Sequence, residues 1–387
     1  MKRLLALLLT ALGALLVGGC ATAPATAPLN ELLHDEAFAP RREPFDPDSL
    51  FALTPPMQRY LQQHLSLRDT ARDPRRALLD ALYTGGELRL QYDGAVTRNA
   101  SEAFEARAGN CLSLVIMTAA FAKHMGLPVN FREVLVDQYY RRAGGLTLAS
   151  GHVNLVLGPP PVRSAMYSAA DMGLIVDFIA REELHRLRSV PLHEKTVVAM
   201  YLNNRAAEAL ADGRLDESYW WARDALLQDP AFVEPANTLG VIYGRAGHAR
   251  AAESALRHVL AHTPDHAAAL SNLSSLLLRE GRSAEAQVLQ ARLAQKQPVA
   301  PFHFFELGRQ AMAAGDFEAA SRHFDSELRQ QPFQDEVHFW AALAAWQQGD
   351  REGTARHLGQ ARDHSATRDS QARYAAKLEH LRAQTLH

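Results

Sequence analysis

Five glycines, Gly213, Gly247, Gly281, Gly315 and Gly349, stand 34 residues apart. Pro230, Pro264, Pro298 and Pro332 interleave with them at the same interval. Two series locked in phase leave few folds open to the C-terminal half. From about Val190 the chain is Ala-rich and reads as helix to its end. A glycine adopts positive φ without a Cβ clash, so each one suits the sharp end of a first helix. A proline disfavours helical backbone in the residue before it, so each one closes a second helix and redirects the chain. The spacing therefore predicts five antiparallel helix pairs over residues 199–368, with the five glycines at the tight turns. A final capping helix is expected over 369–387.

A 34-residue helix-turn-helix period resembles the tetratricopeptide repeat. Gly240 and Tyr243 in the second unit, and Gly308 in the fourth, stand where that repeat carries a small residue and an aromatic in its first helix. Ala252, Ala286 and Ala320 fall where its two helices cross closely, with Ser218 and Thr354 there in the first and fifth units. Terminal units of such stacks are often atypical. The resemblance implies an all-α solenoid with a groove for a protein or peptide partner.

The segment before the repeats has a different texture. Thr54-Pro55-Pro56 opens an expected helix through Leu65, and Asp73-Pro74 another through Tyr83. Leu88, Leu90 and Tyr92 alternate as a short strand would. A short helix is expected from Ser101 to Arg107, then, after Asn110 as N-cap, an apolar helix from Cys111 to about Met125. Gly126-Leu127-Pro128 ends it. Strand-like runs follow at Val129–Tyr140, His152–Leu157 and Leu174–Ile179. One helix feeding a small antiparallel sheet predicts an α+β domain over 46–190.

The first residues read as an export signal. Lys2 and Arg3 precede an apolar run from Leu4 to Val17, which is too short for a span of about 20 residues. The run ends Val17-Gly18-Gly19-Cys20, which resembles the lipobox of bacterial lipoproteins. That resemblance implies cleavage after residue 19, lipid on Cys20, and, with Ala21 next, an outer-membrane anchor facing the periplasm. Residues 20–45 are then expected to be the lipidated cysteine and a flexible tether, the stretch from Ala21 to about Asn30 being mostly Ala, Thr and Pro. The membrane enters as a partner through that anchor.

Of two cysteines, Cys20 and Cys111, lipidation would leave Cys111 without a partner in the chain. An exported chain normally pairs its cysteines or avoids them, so a lone thiol is either inert or kept for chemistry. Cys111 begins the apolar helix within Gly109-Asn110-Cys111-Leu112-Ser113, where the helix dipole favours an anion. A nucleophilic thiol also needs a base held by a third group. His152 opens one apolar strand and Asp177 lies inside another, where a carboxylate needs a partner. Cysteine on a helix, histidine on a strand and acid on a strand, in that order, resembles the transglutaminase-like superfamily with its papain-like chemistry, over roughly 90–185. The resemblance implies Cys111 as nucleophile, His152 as base and Asp177 as its orienting residue. Asp171 is an alternative carboxylate. The Cys111 N–H would stabilise the oxyanion, helped by Tyr92 or Asn99.

A formal net charge of −2 gives no electrostatic case for nucleic acid. No zinc spacing, phosphate loop or dinucleotide fingerprint is present, so no cofactor is expected. Two functions fit these features. One is a cell-envelope cysteine amide hydrolase or acyltransferase that recruits its substrate through the repeats. The other is a catalytically inactive core on a scaffold that assembles envelope proteins.

Overall fold

The structure, a computed structural model, describes residues 29–41, 44–65, 73–84, 88, 90–93, 96–143, 146–158, 173–178, 188–296, 302–331, 334–365 and 368–385. The apolar leader, Cys20, Asp171, Pro298 and Pro332 lie outside the described residues.

Helices α1 (Pro55–His64) and α2 (Pro74–Leu79) each begin with proline, whose missing N–H costs nothing in a first turn. A single π-type turn carries α2 on through Asp80–Thr84. Helix α3 (Ala100–Ala106) starts in a reciprocal cap, with Asn99 Oδ1 accepting from the Glu102 N–H and Glu102 Oε2 accepting from the Asn99 N–H, both at 2.9 Å. Of the extended run expected at Glu87–Tyr92, Glu87 and Arg89 lie outside the described residues, and Gln91–Tyr92 form β1, paired in parallel with β2 (Ala108–Gly109). Helix α4 (Cys111–His124) follows at once. It is buried along nearly its whole length, from Leu112 to Ala122.

Strands β3 (Val129–Ala143), β4 (Leu146–Leu157), β5 (Leu174–Val176) and β6 (Ser189–Leu192) form one antiparallel sheet in the order β5-β4-β3-β6. Strand β5 stops at Val176, so Asp177 stands one residue beyond it rather than inside a longer strand. Strand β6 had no expectation in the sequence. It contains Pro191, which an edge strand tolerates because one side of its backbone has no ladder to fill. Leu155, Leu157, Phe131 and Val176 pack from the sheet against Leu114, Val115 and Phe121 of α4.

Among the described residues ten helices then follow in pairs: α5 (Glu194–Ala211) with α6 (Leu215–Gln228), α7 (Glu234–Ala246) with α8 (Ala249–His262), and α9 (Ala267–Arg279) with α10 (Ser283–Lys296). After them come α11 (His303–Ala314) with α12 (Phe317–Gln330) and α13 (Asp335–Gln347) with α14 (Arg351–Asp363). The last helix, α15, runs Arg368–Thr385. Gly213, Gly247, Gly281, Gly315 and Gly349 all have φ between +76° and +85°, in the turns joining each pair. Ala252, Ala286 and Ala320 are fully buried at the crossings, as is Ser218, whose hydroxyl donates to the Ala206 carbonyl at 2.8 Å. At Gly308 an added Cβ would sit 2.4 Å from Phe324, so the fourth pair closes only over a glycine.

The repeats are continuous with the sheet-bearing unit. Val197, Val198, Tyr201 and Leu202 of α5 belong to the same apolar cluster as α4 and the sheet. Residues 29–41 correct an expectation. Read from sequence as part of a flexible tether, they pack against α6, α7 and α8 instead, with Leu32 and Phe38 buried in the cluster of the first repeats. Leucine, phenylalanine and a spaced acid give this stretch side chains to bury that the Ala-Thr-Pro sequence before it lacks.

Candidate functional site

The turn before α4 is built residue by residue. Gly109 pairs with Tyr92, and its carbonyl accepts the Asp93 N–H at 3.0 Å. A Cβ on Gly109 would lie 2.7 Å from the Ser113 Cβ, so only glycine lets the chain turn this closely onto the helix. Asn110 caps α4: its Oδ1 accepts from the Ser113 N–H at 2.9 Å and from the Ser113 hydroxyl at 2.8 Å. Its Nδ2 donates to Thr97 Oγ1 at 2.9 Å, and the Arg98 N–H donates to Ser113 Oγ at 2.8 Å. Thr97, Asn110 and Ser113 are all buried, so this network fixes the first turn of α4 rigidly.

Cys111 takes the first helical position and is half-buried. The N–H groups of a first turn have no intrahelical acceptor and point toward the helix start. That is where charge on the sulfur, or on an oxygen bonded near it, is stabilised.

His152 is buried on β4. Its Nε2 lies 2.7 Å from Asp177 Oδ1. Its Nδ1, the ring nitrogen left over, is buried with no hydrogen bond of good geometry among the described residues. The Cys111 thiol is nevertheless close enough to act on the ring. Burial is the largest single influence on this histidine and opposes its charge. The hydrogen bond with Asp177, the hydrogen bonding and charge of Cys111, and the charge of Asp177 together outweigh burial and raise the ring to about 9. At neutral pH it is therefore an imidazolium between a carboxylate and a sulfur.

The second Asp177 oxygen accepts from Asn154 Nδ2 at 3.0 Å. Asn154 was not singled out from the sequence. The signal that could have found it was strand periodicity: it lies two residues from His152 on β4 and so shares its face. Its Oδ1 is buried with no hydrogen-bond partner among the described residues.

All three residues singled out from the sequence thus meet, from the start of α4, from β4 and from the end of β5. Asn99 does not join them, since its side chain is the N-cap of α3. Among the described residues no group of three or more His, Cys, Asp or Glu is arranged to hold a metal ion.

The family model of the tetratricopeptide repeat matches residues 237–301 and 305–353. No curated protein matches the chain. Solved structures with similarity include a crystal structure of MamA protein, at 19% identity over 47% of this chain and 97% of that one, with a TM-score of 0.25. A Pseudomonas aeruginosa PilF structure matches at 18% identity over 49% of this chain and 94% of that one, with a TM-score of 0.28. The assignment rests on the matched repeats and on the helix pairs with their positive-φ glycines, and on that footing the C-terminal part of this chain is an array of tetratricopeptide repeats.

Proposed function

We propose that the chain is a cell-envelope lipoprotein whose sheet-bearing unit is a transglutaminase-like cysteine acyl-transfer domain, served by a repeat array that binds its protein partner. The observation carrying this reading is the His152 ring, flanked by the Asp177 carboxylate and the Cys111 thiol. Three groups from three separate elements have no packing reason to converge in this order.

In the proposed reaction the Cys111 sulfur attacks an amide or ester carbonyl carbon, and the carbonyl electrons move onto oxygen. The N–H groups at the start of α4 stabilise that oxyanion. As it collapses the C–N or C–O bond breaks, and the His152 imidazolium gives its proton to the leaving group. A thioester on Cys111 remains. Water or an amine then attacks it, neutral His152 takes the attacking proton, and the thiolate is released. Asp177 holds the ring so that one nitrogen serves the sulfur, and Asn154 holds Asp177. Repeats of this kind stack into extended concave surfaces that bind proteins, so the array supplies a recruiting surface. The leader ending at Cys20 supplies the proposed lipid anchor, in the outer membrane and facing the periplasm.

Alkylation tests the active site. Iodoacetamide should modify Cys111 rapidly at neutral pH, and His152→Ala should slow the reaction at least tenfold in a protein with unchanged helical content. A Cys111 that fails to react, or reacts equally fast without His152, would leave only the reading of an inactive core on a binding scaffold.

A further inference from the structure

Residues 29–41 meet the repeats in the manner of a bound peptide. Two short turns, Leu29–Leu32 and Asp35–Ala37, carry the segment across α6, α7 and the start of α8. The repeats engage its main chain at both ends. The Tyr243 hydroxyl donates to the Leu32 carbonyl at 2.7 Å. The Ala39 N–H donates to Asp216 Oδ1 at 2.9 Å, and the Ala39 carbonyl accepts from Trp220 Nε1 at 2.7 Å. Side chains are read between those points. Asp35 Oδ1 accepts from the Tyr219 hydroxyl at 2.5 Å and from Arg223 Nε at 2.8 Å. Phe38 stacks on Tyr219 with ring centres 4.1 Å apart and planes only 6° from parallel. Arg41 pairs with Asp224 and lies over the Trp221 ring.

This surface is not a by-product of the repeat. Tyr219, Trp220, Arg223 and Asp224 all lie on α6, the second helix of its pair. One repeat later the equivalent positions are Glu253, Ser254, Arg257 and His258, and after another they are Gln287, Val288, Ala291 and Arg292. At these two positions adjacent aromatics occur only in the first unit, where the segment lies. Crossing helices need small residues, not a tyrosine–tryptophan pair facing outward onto a separate strand of chain.

We propose that the face of α6, with Tyr243 of α7, is a peptide-recognition site for a segment carrying an acidic residue three positions before an aromatic one, and that residues 29–41 occupy it as an intramolecular ligand. The segment is a separable strap. From Arg41 the chain continues to Phe45, which packs on Tyr201 and Trp221, and to Phe51, which packs on Phe131 of the sheet. Phe45 and Phe51 thus carry the chain from the first repeats to the sheet of the unit that holds Cys111. A partner segment of the same chemistry would compete for the site and free the N-terminal stretch. None of this depends on the chemistry of Cys111.

A labelled synthetic peptide of residues 29–41, added to the full chain, tests the site. The Asp35→Ala/Phe38→Ala chain, whose own strap is weakened, should bind the peptide saturably and at least tenfold more tightly than the unaltered chain. Adding Arg223→Ala, or using a peptide with Phe38→Ala, should abolish most of that binding. A folded variant that binds no better than the unaltered chain, or binding indifferent to Phe38 and Arg223, would overturn the proposal. Hydrogen exchange in the unaltered chain gives a second measurement that needs no variant. Amides of residues 32–39 should exchange at least tenfold faster than those in the middle of α6 and α7, because a ligand leaves without unfolding its site. Equal rates would mean an integral part of the repeat core and would also overturn it.

Discussion

Replacing Asp177 by Asn should lower the affinity of His152 for its proton by orders of magnitude. The ring sits at about 9 against an ordinary value of 6.5 because the carboxylate and the sulfur together overcome burial. With Asp177 neutral the largest influence, burial, is opposed by Cys111 alone, and the ring should titrate near or below 6.5. The difference between 9 and 6.5, at 1.36 kcal/mol per unit, corresponds to about 3 kcal/mol favouring the charged form in the folded state. The sign follows from the raised value. The folded chain holds the proton more tightly than the unfolded one, so this stability is fully present below 6.5 and is lost as pH rises through about 9. The ring is only 4% exposed, so solvent screens the interaction little. Carbon-labelled histidine spectra followed from about pH 5 to about pH 10 read the titration directly. Urea midpoints over the same range read the stability: the unaltered protein should weaken through pH 9, and Asp177→Asn should show little of that slope. An unaltered His152 titrating at or below 6.5, or a midpoint that Asp177→Asn leaves unchanged, would refute the reasoning.

The glycines separate two costs. Gly247→Ala meets open space and pays only for its φ of +85°, about 1 kcal/mol. Gly308→Ala drives a methyl into the buried Phe324 ring and should cost more, about 1–3 kcal/mol or beyond. Urea unfolding followed by helical circular dichroism ranks them, and the reverse order would mean that Phe324 yields. Asn154→Ala should slow Cys111 alkylation several-fold by loosening Asp177, whereas a rate equal to that of the unaltered protein would make Asn154 a bystander. Cys20→Ala should release the protein from the membrane fraction, and unchanged fractionation would remove the proposed lipid anchor.

The repeat register was legible because it depends on backbone chemistry that each residue carries with it. A glycine that must take positive φ, recurring every 34 residues, states where helices turn whatever they pack against. The cap at Asn110, and the prolines opening α1 and α2, were local in the same sense. Cys111, His152 and Asp177 were singled out because each stood out against its own element and because their order resembles that of a known cysteine-enzyme superfamily. Three things were not legible. Strand β6 has too little alternation and includes a proline; only its partner β3 makes it a strand. Asn154 looks like any polar residue on a half-buried strand until the Asp177 oxygen lies 3.0 Å away. Residues 29–41 carry no period at all, and their order comes from Tyr219, Tyr243 and Arg223, roughly 180 to 210 residues further on. Sequence alone determined what each stretch of backbone could do, because φ preference, capping and helical period act within a few residues. Tertiary structure decided which distant side chains meet, because the Cys111–His152–Asp177 convergence and the docked N-terminal segment exist only once packing has overcome the entropy of bringing remote chain together.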